Sequence, residues 1–249
     1  MGLERTGIWE FFNQLEVDKE YLKRKYDAYG IEPGDYDYIL DLQSVIDFRF
    51  ISRRTKIEDG ELTELNLRGL SLKKIPESLR LFYGLRKLDI SYNRISDISS
   101  CLADDNELEE LIAQSTKIDY LPLNKLNYIK NLRVFNEVKD FDEYGTSYWK
   151  KIKLKNRIIE VSKYLPRIEI LNLRDLDLSE TIIKFEQLHE SMKTVSLSST
   201  NIEGIIGLDN CINLENLYME GIDNSNFGKV KQMLSNLSRL KQVKPVILI

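Results

Sequence analysis

Apolar residues recur through most of the chain in one frame: two apolar positions three residues apart, followed by a third two residues later. The frame is clearest at Leu62, Leu65 and Leu67, and its second copy, from Leu85, carries Asn93 at the ninth place. Further starts fall at Leu108, Leu132, Ile168, Met192, Leu214 and Leu240. Apart from one longer gap, the starts are 22 to 26 residues apart, and repeats of this length indicate a solenoid.

Each copy contains a short stretch in which apolar and polar residues alternate, which is the period of a strand with one buried face. In the first copy Leu65 and Leu67 would point inward and their neighbours outward. Because no unit closes a core by itself, stacking buries one apolar column and joins the strands into a parallel sheet. Later apolar groups in each unit, such as Ile95 and Ile98, would turn the chain back along the opposite wall.

The stretches LTELNLRGLSLKKIPESL (62–79) and LRKLDISYNRISDI (85–98) resemble the leucine-rich-repeat superfamily. The shorter units resemble its phosphatase-regulating and spliceosomal members. This resemblance implies an α/β solenoid with a curved parallel sheet on its concave face and short helical or 3-10 segments on its convex face. The stretch VSKYLPRIEILN (161–172) resembles the motif that caps such arrays, and MLSNLSRLKQV (233–243) is similar. Two fused half-arrays are therefore one interpretation.

Residues 1–58 do not repeat, and they are predicted to form an N-terminal helical cap followed by an edge strand. Ile8, Phe11, Phe12 and Leu15 have helical spacing, and the first unit of a solenoid needs a cover for its exposed core. The alternating stretch 45–54 precedes a turn signal at Asp59-Gly60, as an antiparallel edge strand would. The alternative is that the aromatic residues of this region contact a partner. Residues 59–249 are then about eight repeats.

The longer gap, from Leu132 to Ile168, predicts an insertion near 138–150. If this repeat begins at Leu132, Glu137 occupies an inward position where an apolar residue is expected. Either the repeat is degenerate, or the chain departs from the repeat frame at this point. Insertions in solenoids form loops that often carry binding. Its aromatic residues either contact a partner or pack on the convex wall; they are Phe141, Tyr144, Tyr148 and Trp149.

Charge and composition narrow the compartment and the class of partner. A net charge of −4 and a pI near 5.4 provide no general attraction to nucleic acid. The basic run Lys150–Arg157 is a local exception, which forms either a solvated face or a patch for an acidic partner. Cys101 and Cys211 lie among apolar residues and are predicted to be buried free thiols. With no long apolar segment or signal peptide, we expect a cytoplasmic protein that does not associate with membranes.

Catalytic chemistry is not predicted. The single histidine, His189, is expected at the surface or at a helix end, and it has no partner for a catalytic dyad or a metal site in the repeat frame. The glycines do not form a phosphate-binding loop. We therefore predict no enzyme activity, no catalytic or metal-binding residues and no cofactor.

The repeat frame identifies the outward residues of the predicted concave face, since positions beside an inward residue point outward. They form a mixed polar surface that also includes Ile170, Thr194 and Asn216, with Ile112 and Tyr218 as its best anchors. The candidate partner-binding residues are Glu64, Asn66, Arg68, Lys87, Asp89, Glu110, Ile112, Asn172, Arg174, Ser196, Tyr218 and Glu220.

Such a surface favours a non-catalytic scaffold, monomeric when isolated, that binds a protein through its concave face. Two alternatives stay open. A subunit of a ribonucleoprotein is suggested by the cap motif and the basic run, and a regulatory subunit of an enzyme such as a phosphatase by the repeat subclass. Nucleic acid is the less favoured partner because neither sign of charge dominates the face.

Overall fold

A computed structural model of the protein describes residues 8, 10–15, 53–134, 137–141, 147–222 and 242–244. Segments 137–141, 147–150 and 242–244 are described at the level of the backbone. The predicted strand at 45–54 lies outside these residues except for 53 and 54, which are helical. The division of the chain at residue 58 stays a prediction.

The central element is a nine-stranded sheet in which every pair of neighbours is parallel except the first. Its register aligns Leu65, Leu88 and Leu111 with Leu171 and Leu217, and each is at most 1% exposed. The predicted buried column and parallel sheet are therefore confirmed. In order across the sheet, the strands are β1 Thr55–Glu58, β2 Glu61–Asn66, β3 Lys87–Asp89, β4 Glu110–Ile112, β5 Asn131–Arg133, β9 Ile170–Asn172, β11 Thr194–Ser196, β13 Asn216–Tyr218 and β14 Gln242–Lys244.

The fourth repeat keeps the frame, but three residues earlier than predicted. Leu132 pairs with Leu111, so it occupies the second inward position and does not start the unit. Ile129 and Val134 fill the first and third positions, and both are fully buried. The predicted start at Leu132 was wrong because Ile and Val replace leucine here. Glu137 consequently lies outside the column.

The predicted insertion contains a β-hairpin of β6 Glu137–Phe141 and β7 Ser147–Lys151. The chain then returns to the solenoid. Leu154 is buried, its amide donates to Asp177 O at 3.0 Å, and the amide of Lys155 donates to Asp119 O. The returning segment therefore lies between the third and fifth units and completes the fourth. Because β5 pairs directly with β9, the strands form one sheet and not two half-arrays.

The side opposite the sheet combines short helical segments with a second sheet. Three 3-10 segments, Glu77–Leu81, Leu123–Lys125 and Leu208–Asn210, accompany one helical turn, Val161–Tyr164. The later units also contribute a parallel three-stranded sheet, which the sequence analysis did not predict. Each of these strands contains isoleucine, a β-branched residue that favours extended backbone. They are β8 Ile158–Glu160, β10 Ile182–Lys184 and β12 Gly204–Ile206.

Residues from the N-terminus pack against the first repeat. The ring of Phe11 contacts that of Phe82 edge to face, with 5.7 Å between centroids, and Ile8 and Phe12 are also buried. Strand β1 covers the open edge of β2, to which it is joined by a turn at Asp59-Gly60. These contacts shield apolar surface at the start of the column.

The turns that the structure describes after β2, β3, β4, β9, β11 and β13 use the left-handed backbone conformation. Gly69 and Gly221 occupy this position in two units, with φ of 75° and 70°. Other units place an ordinary residue there, such as Ser199 with φ of 57°. Since the left-handed region costs a residue with a Cβ about 1 to 2 kcal/mol, these turns hold strain that the repeat geometry imposes.

We predict that Ser199→Gly raises the free energy of unfolding by about 0.5 kcal/mol, because relieved strain exceeds the added entropy of the unfolded chain. Gly221→Ala, at the equivalent turn, should lower it by about 1 kcal/mol. Urea unfolding of the two variants beside the parent measures both changes. Equal changes of the same sign in the free energy of unfolding of the two variants would contradict the claim that this turn strains a residue with a Cβ.

Asn93 ties neighbouring turns together inside the protein. Its side chain is buried, its Oδ1 accepts from the Leu72 amide at 2.9 Å, and its Nδ2 donates to Leu67 O and Ile90 O at 2.8 Å. Thr200, at the equivalent place of a later unit, makes one such bond, to Leu197 O at 2.7 Å. Asn93 therefore satisfies three buried backbone groups that have no water to bond instead.

Asn93→Ala should lower the free energy of unfolding by about 3 kcal/mol, because it leaves several buried backbone groups without partners. Thr200→Val, which breaks a single bond and keeps the side-chain volume, should cost about 1 kcal/mol. Chemical denaturation of both variants measures which substitution lowers the free energy of unfolding more. A smaller loss for Asn93→Ala than for Thr200→Val would rule out this role.

Candidate functional site

Two rows of side chains flank the buried column and form the outward face of the nine-stranded sheet. We call these residues the sheet face. The first row contains Glu64, Lys87, Glu110, Asn131, Ile170, Thr194 and Asn216. The second row contains Asn66, Asp89, Ile112, Arg133, Asn172, Ser196 and Tyr218.

The predicted candidates all lie on the sheet face or directly beside it. Arg68, Arg174 and Glu220 are in the turns that follow strands, and they are exposed. The other nine predicted residues belong to the two rows, but Ser196 is only 8% exposed there, so the prediction that it faces solvent was wrong. Their contact with a partner stays a prediction. Asn131 and Arg133 were missed because the frame was started at Leu132, although the spacing of Ile129, Leu132 and Val134 in the sequence would have identified them.

The first strands of the sheet face are linked by paired charges. Lys56 contacts Glu64 at 3.0 Å, and Lys87 contacts Glu110 at 2.9 Å. The hydrogen bond with Glu110 is the main cause that raises the pKa of Lys87. Asn131 Nδ2 then donates to Glu110 at 3.0 Å. This half of the sheet face therefore presents both positive and negative side chains, which are joined in hydrogen-bonded ion pairs.

The half formed by β9, β11 and β13 carries no charged residue within its strands. Ile170 and Tyr218 are half-buried there, among amide and hydroxyl groups. Asn216 Nδ2 is 3.4 Å from Thr194 Oγ1, so these side chains also bond across strands. Apolar and aromatic residues surrounded by uncharged polar groups are typical of the centre of a protein–protein interface.

Charges of alternating sign form a ladder at one end of the strands, at the residue immediately before β3, β4, β5, β9, β11 and β13. Lys130 bridges to Glu109 at 2.9 Å, and Lys193 bridges to Glu169. Like charges directly opposite each other would destabilise adjacent strands, so the alternation supports this order of repeats. The ladder consists of Arg86, Glu109, Lys130, Glu169, Lys193 and Glu215.

His189, Cys101 and Cys211 are buried and lie far apart in the sequence of repeats. His189 is 3% exposed with Nε2 3.0 Å from Leu165 O, so its predicted surface position was wrong: the segment before β11 turns it towards the core. In the described ranges, no group of three or more His, Cys, Asp or Glu could hold a metal ion. No helix in the same ranges is long and apolar enough to cross a membrane.

Cys101 and Cys211 are buried free thiols, as predicted. Burial raises the pKa of each thiol to about 12. The thiolate is the reactive form of cysteine, so neither side chain is suited to act as a nucleophile.

We predict that neither thiol reacts with Ellman's reagent at pH 8 while the protein is folded, because both are inaccessible and protonated. After unfolding in guanidinium chloride, both should react within minutes. Absorbance at the wavelength of the released thiolate counts the groups. Rapid reaction of the folded protein would contradict the buried positions.

Comparisons with known proteins add little to this geometry. No protein-family model matches the sequence, and a search of curated proteins found no match. A solved leucine-rich-repeat protein of Leptospira interrogans is similar over 75% of this chain, with 14% identity and a TM-score of 0.33. The match spans 66% of that protein's length.

A likeness at that level is too weak to define the class of fold. The class rests instead on the repeat frame and on the sheet that the repeats build. Units with a common inward column, a left-handed turn after six of the described strands and a shared parallel sheet define a leucine-rich-repeat-like β-solenoid. The resemblance to phosphatase-regulating and spliceosomal members has no further support.

Proposed function

We propose that the protein is a non-catalytic scaffold that binds another protein through the sheet face. The observation that carries the proposal is the partial exposure of Ile112, Ile170 and Tyr218 on one continuous sheet. As a monomer in the cytoplasm, the protein would present this surface to a protein partner.

The rigidity of the sheet face supports binding. Every residue of the two rows is adjacent to a buried member of the column, and each strand is bonded to its neighbours. The backbone amide of Ile90 donates to Ile112 O at 2.9 Å, and that of Leu197 donates to Tyr218 O at 2.8 Å. A preorganised surface loses little conformational entropy when a partner binds.

The charge distribution favours a protein partner over nucleic acid. Recognition of a phosphate backbone requires a surplus of cations, whereas the sheet face carries both signs of charge and two of its lysines are paired, Lys56 with Glu64 and Lys87 with Glu110. The alternatives, a ribonucleoprotein subunit and a regulatory subunit of an enzyme such as a phosphatase, remain predictions without a supporting observation in the described residues.

The hairpin is a second candidate contact of the same scaffold. It leaves the solenoid after β5, at the end of the sheet strand. Phe141 lies on β6, whereas Tyr148 and Trp149 lie on β7; Tyr144 is outside the described residues. We propose that these aromatic residues extend the binding surface beyond the sheet.

The test begins with recovery of proteins bound to the tagged full chain in its native cell extract, followed by affinity measurements with the purified partner. Ile112→Arg with Tyr218→Arg should weaken binding by at least about 30-fold, because removing an interface anchor costs about 2 kcal/mol or more. The matched control is Ile206→Arg with Tyr83→Arg, two exposed residues away from the sheet face.

The control should bind as the parent does, and circular dichroism should show all three proteins folded. Full binding by the folded sheet-face variant would refute the proposal. Equal loss in both double variants would show that binding does not depend on this surface.

A further inference from the structure

The segment that returns from the hairpin separates its charged and apolar side chains onto two sides. Lys151, Lys153, Lys155 and Arg157 are exposed. Leu154, which lies among them, is 2% exposed, and Asn156 is also buried. Alternate residues of an extended chain are about 6.6 to 6.8 Å apart along one side. The segment therefore presents four cations on one side, with about this spacing from Lys151 to Lys155 and a bend in the chain at Arg157.

Buried hydrogen bonds hold this segment in its extended form. Asn156 exchanges two bonds with the backbone of Leu121: its Oδ1 accepts from the amide at 2.7 Å and its Nδ2 donates to the carbonyl at 2.9 Å. Thr181 Oγ1 donates to Asn156 O at 2.8 Å. The row of cations is therefore preorganised by contacts with the units on either side.

The four cations line an open groove of about 780 Å³ between neighbouring units. Lys117 adds a fifth cation, and Asp119, Asp177 and Glu180 contribute three carboxylates. Five cations and three carboxylates give the lining of the groove a net charge of +2, although the whole chain has a net charge of −4. Its cationic character is a local feature against an acidic background.

The carboxylates do not prevent an external anion from binding. Lys153 contacts Glu180 at 2.6 Å and Lys155 contacts Asp119 at 2.7 Å, and both lysines are at least half exposed. Ion pairs at such exposed positions contribute little to stability, because water screens them. A partner can therefore share or replace these contacts at little cost.

We propose that this groove binds an extended acidic segment of a protein partner, with carboxylates at every second residue. An extended segment has about the same residue spacing as Lys151, Lys153 and Lys155, so alternate carboxylates would meet these three cations, and Arg157 at the bend would meet a fourth. Nucleic acid fits less well, because no described lining residue is aromatic and could stack on a base. The surface is separate from the sheet face, so either proposal can fail alone.

The probe is a fluorescein-labelled octapeptide in which glutamate and serine alternate, titrated with the full chain and followed by fluorescence anisotropy. Binding should weaken as sodium chloride is raised from low concentration, because exposed charges are screened. A peptide of the same composition with its four glutamates in one block should bind several-fold more weakly, since its spacing does not match the row.

Variants assign the binding to the groove. Lys151→Gln with Arg157→Gln should weaken binding roughly tenfold, because two charge contacts are lost. Asp119→Asn with Glu180→Gln should tighten it, since the change frees two lysines and keeps the side-chain shapes. Arg80→Gln with Lys163→Gln removes the same charge from exposed positions outside the groove and should leave binding unchanged.

Three results with the peptides would overturn the proposal: no binding of the alternating peptide to either the parent or the Asp119→Asn, Glu180→Gln variant; equal binding of the alternating and block peptides; or equal loss in the groove variant and its control. Tighter binding of an oligothymidylate of equal charge would overturn it in favour of nucleic acid. Circular dichroism of each variant separates lost binding from lost folding.

Discussion

The fold depends on one constraint: no repeat can bury its own apolar residues. Leu65 needs Leu88 beside it, and Leu88 needs Leu111, so the column exists only when neighbouring units share a register. Register in turn decides which side chains face outward, because alternate residues of a strand point to opposite faces. The sheet face is therefore a direct consequence of the buried column, and its geometry is as fixed as the core beneath it.

The same constraint explains how the chain accommodates an insertion. Each unit contacts only its neighbours, so a hairpin that leaves after β5 disturbs nothing provided that the chain returns and fills its place. Leu154 restores the apolar contact, and Asn156 bonds to the third unit. The return has a second consequence, since it brings a row of cations to the side of the solenoid. One solenoid thus carries two separate candidate surfaces: the sheet face, with its uncharged half, and the cationic groove.

The sequence predicted the parts of the structure that repeat. The column, the parallel sheet and most outward residues follow from leucine spacing, because each copy reports on the others. The frame of the fourth unit was misplaced because Ile129 and Val134 replace leucine next to an insertion. Strands β8, β10 and β12 were missed, since contacts between units decide whether an isoleucine-rich stretch becomes strand or helix. The burial of His189 depends on a turn that no local pattern specifies.

Hydrogen exchange across the hairpin tests the central claim, that the units form one continuous sheet. The bonds from Val134 N to Asn172 O and from Ile170 N to Lys130 O join the strands on either side of the insertion. Their amides should exchange as slowly as those of Ile90 and Leu197, which lie within the two ends of the array. Fast exchange at Val134 and Ile170, with slow exchange elsewhere, would instead show two half-arrays that meet without a shared ladder.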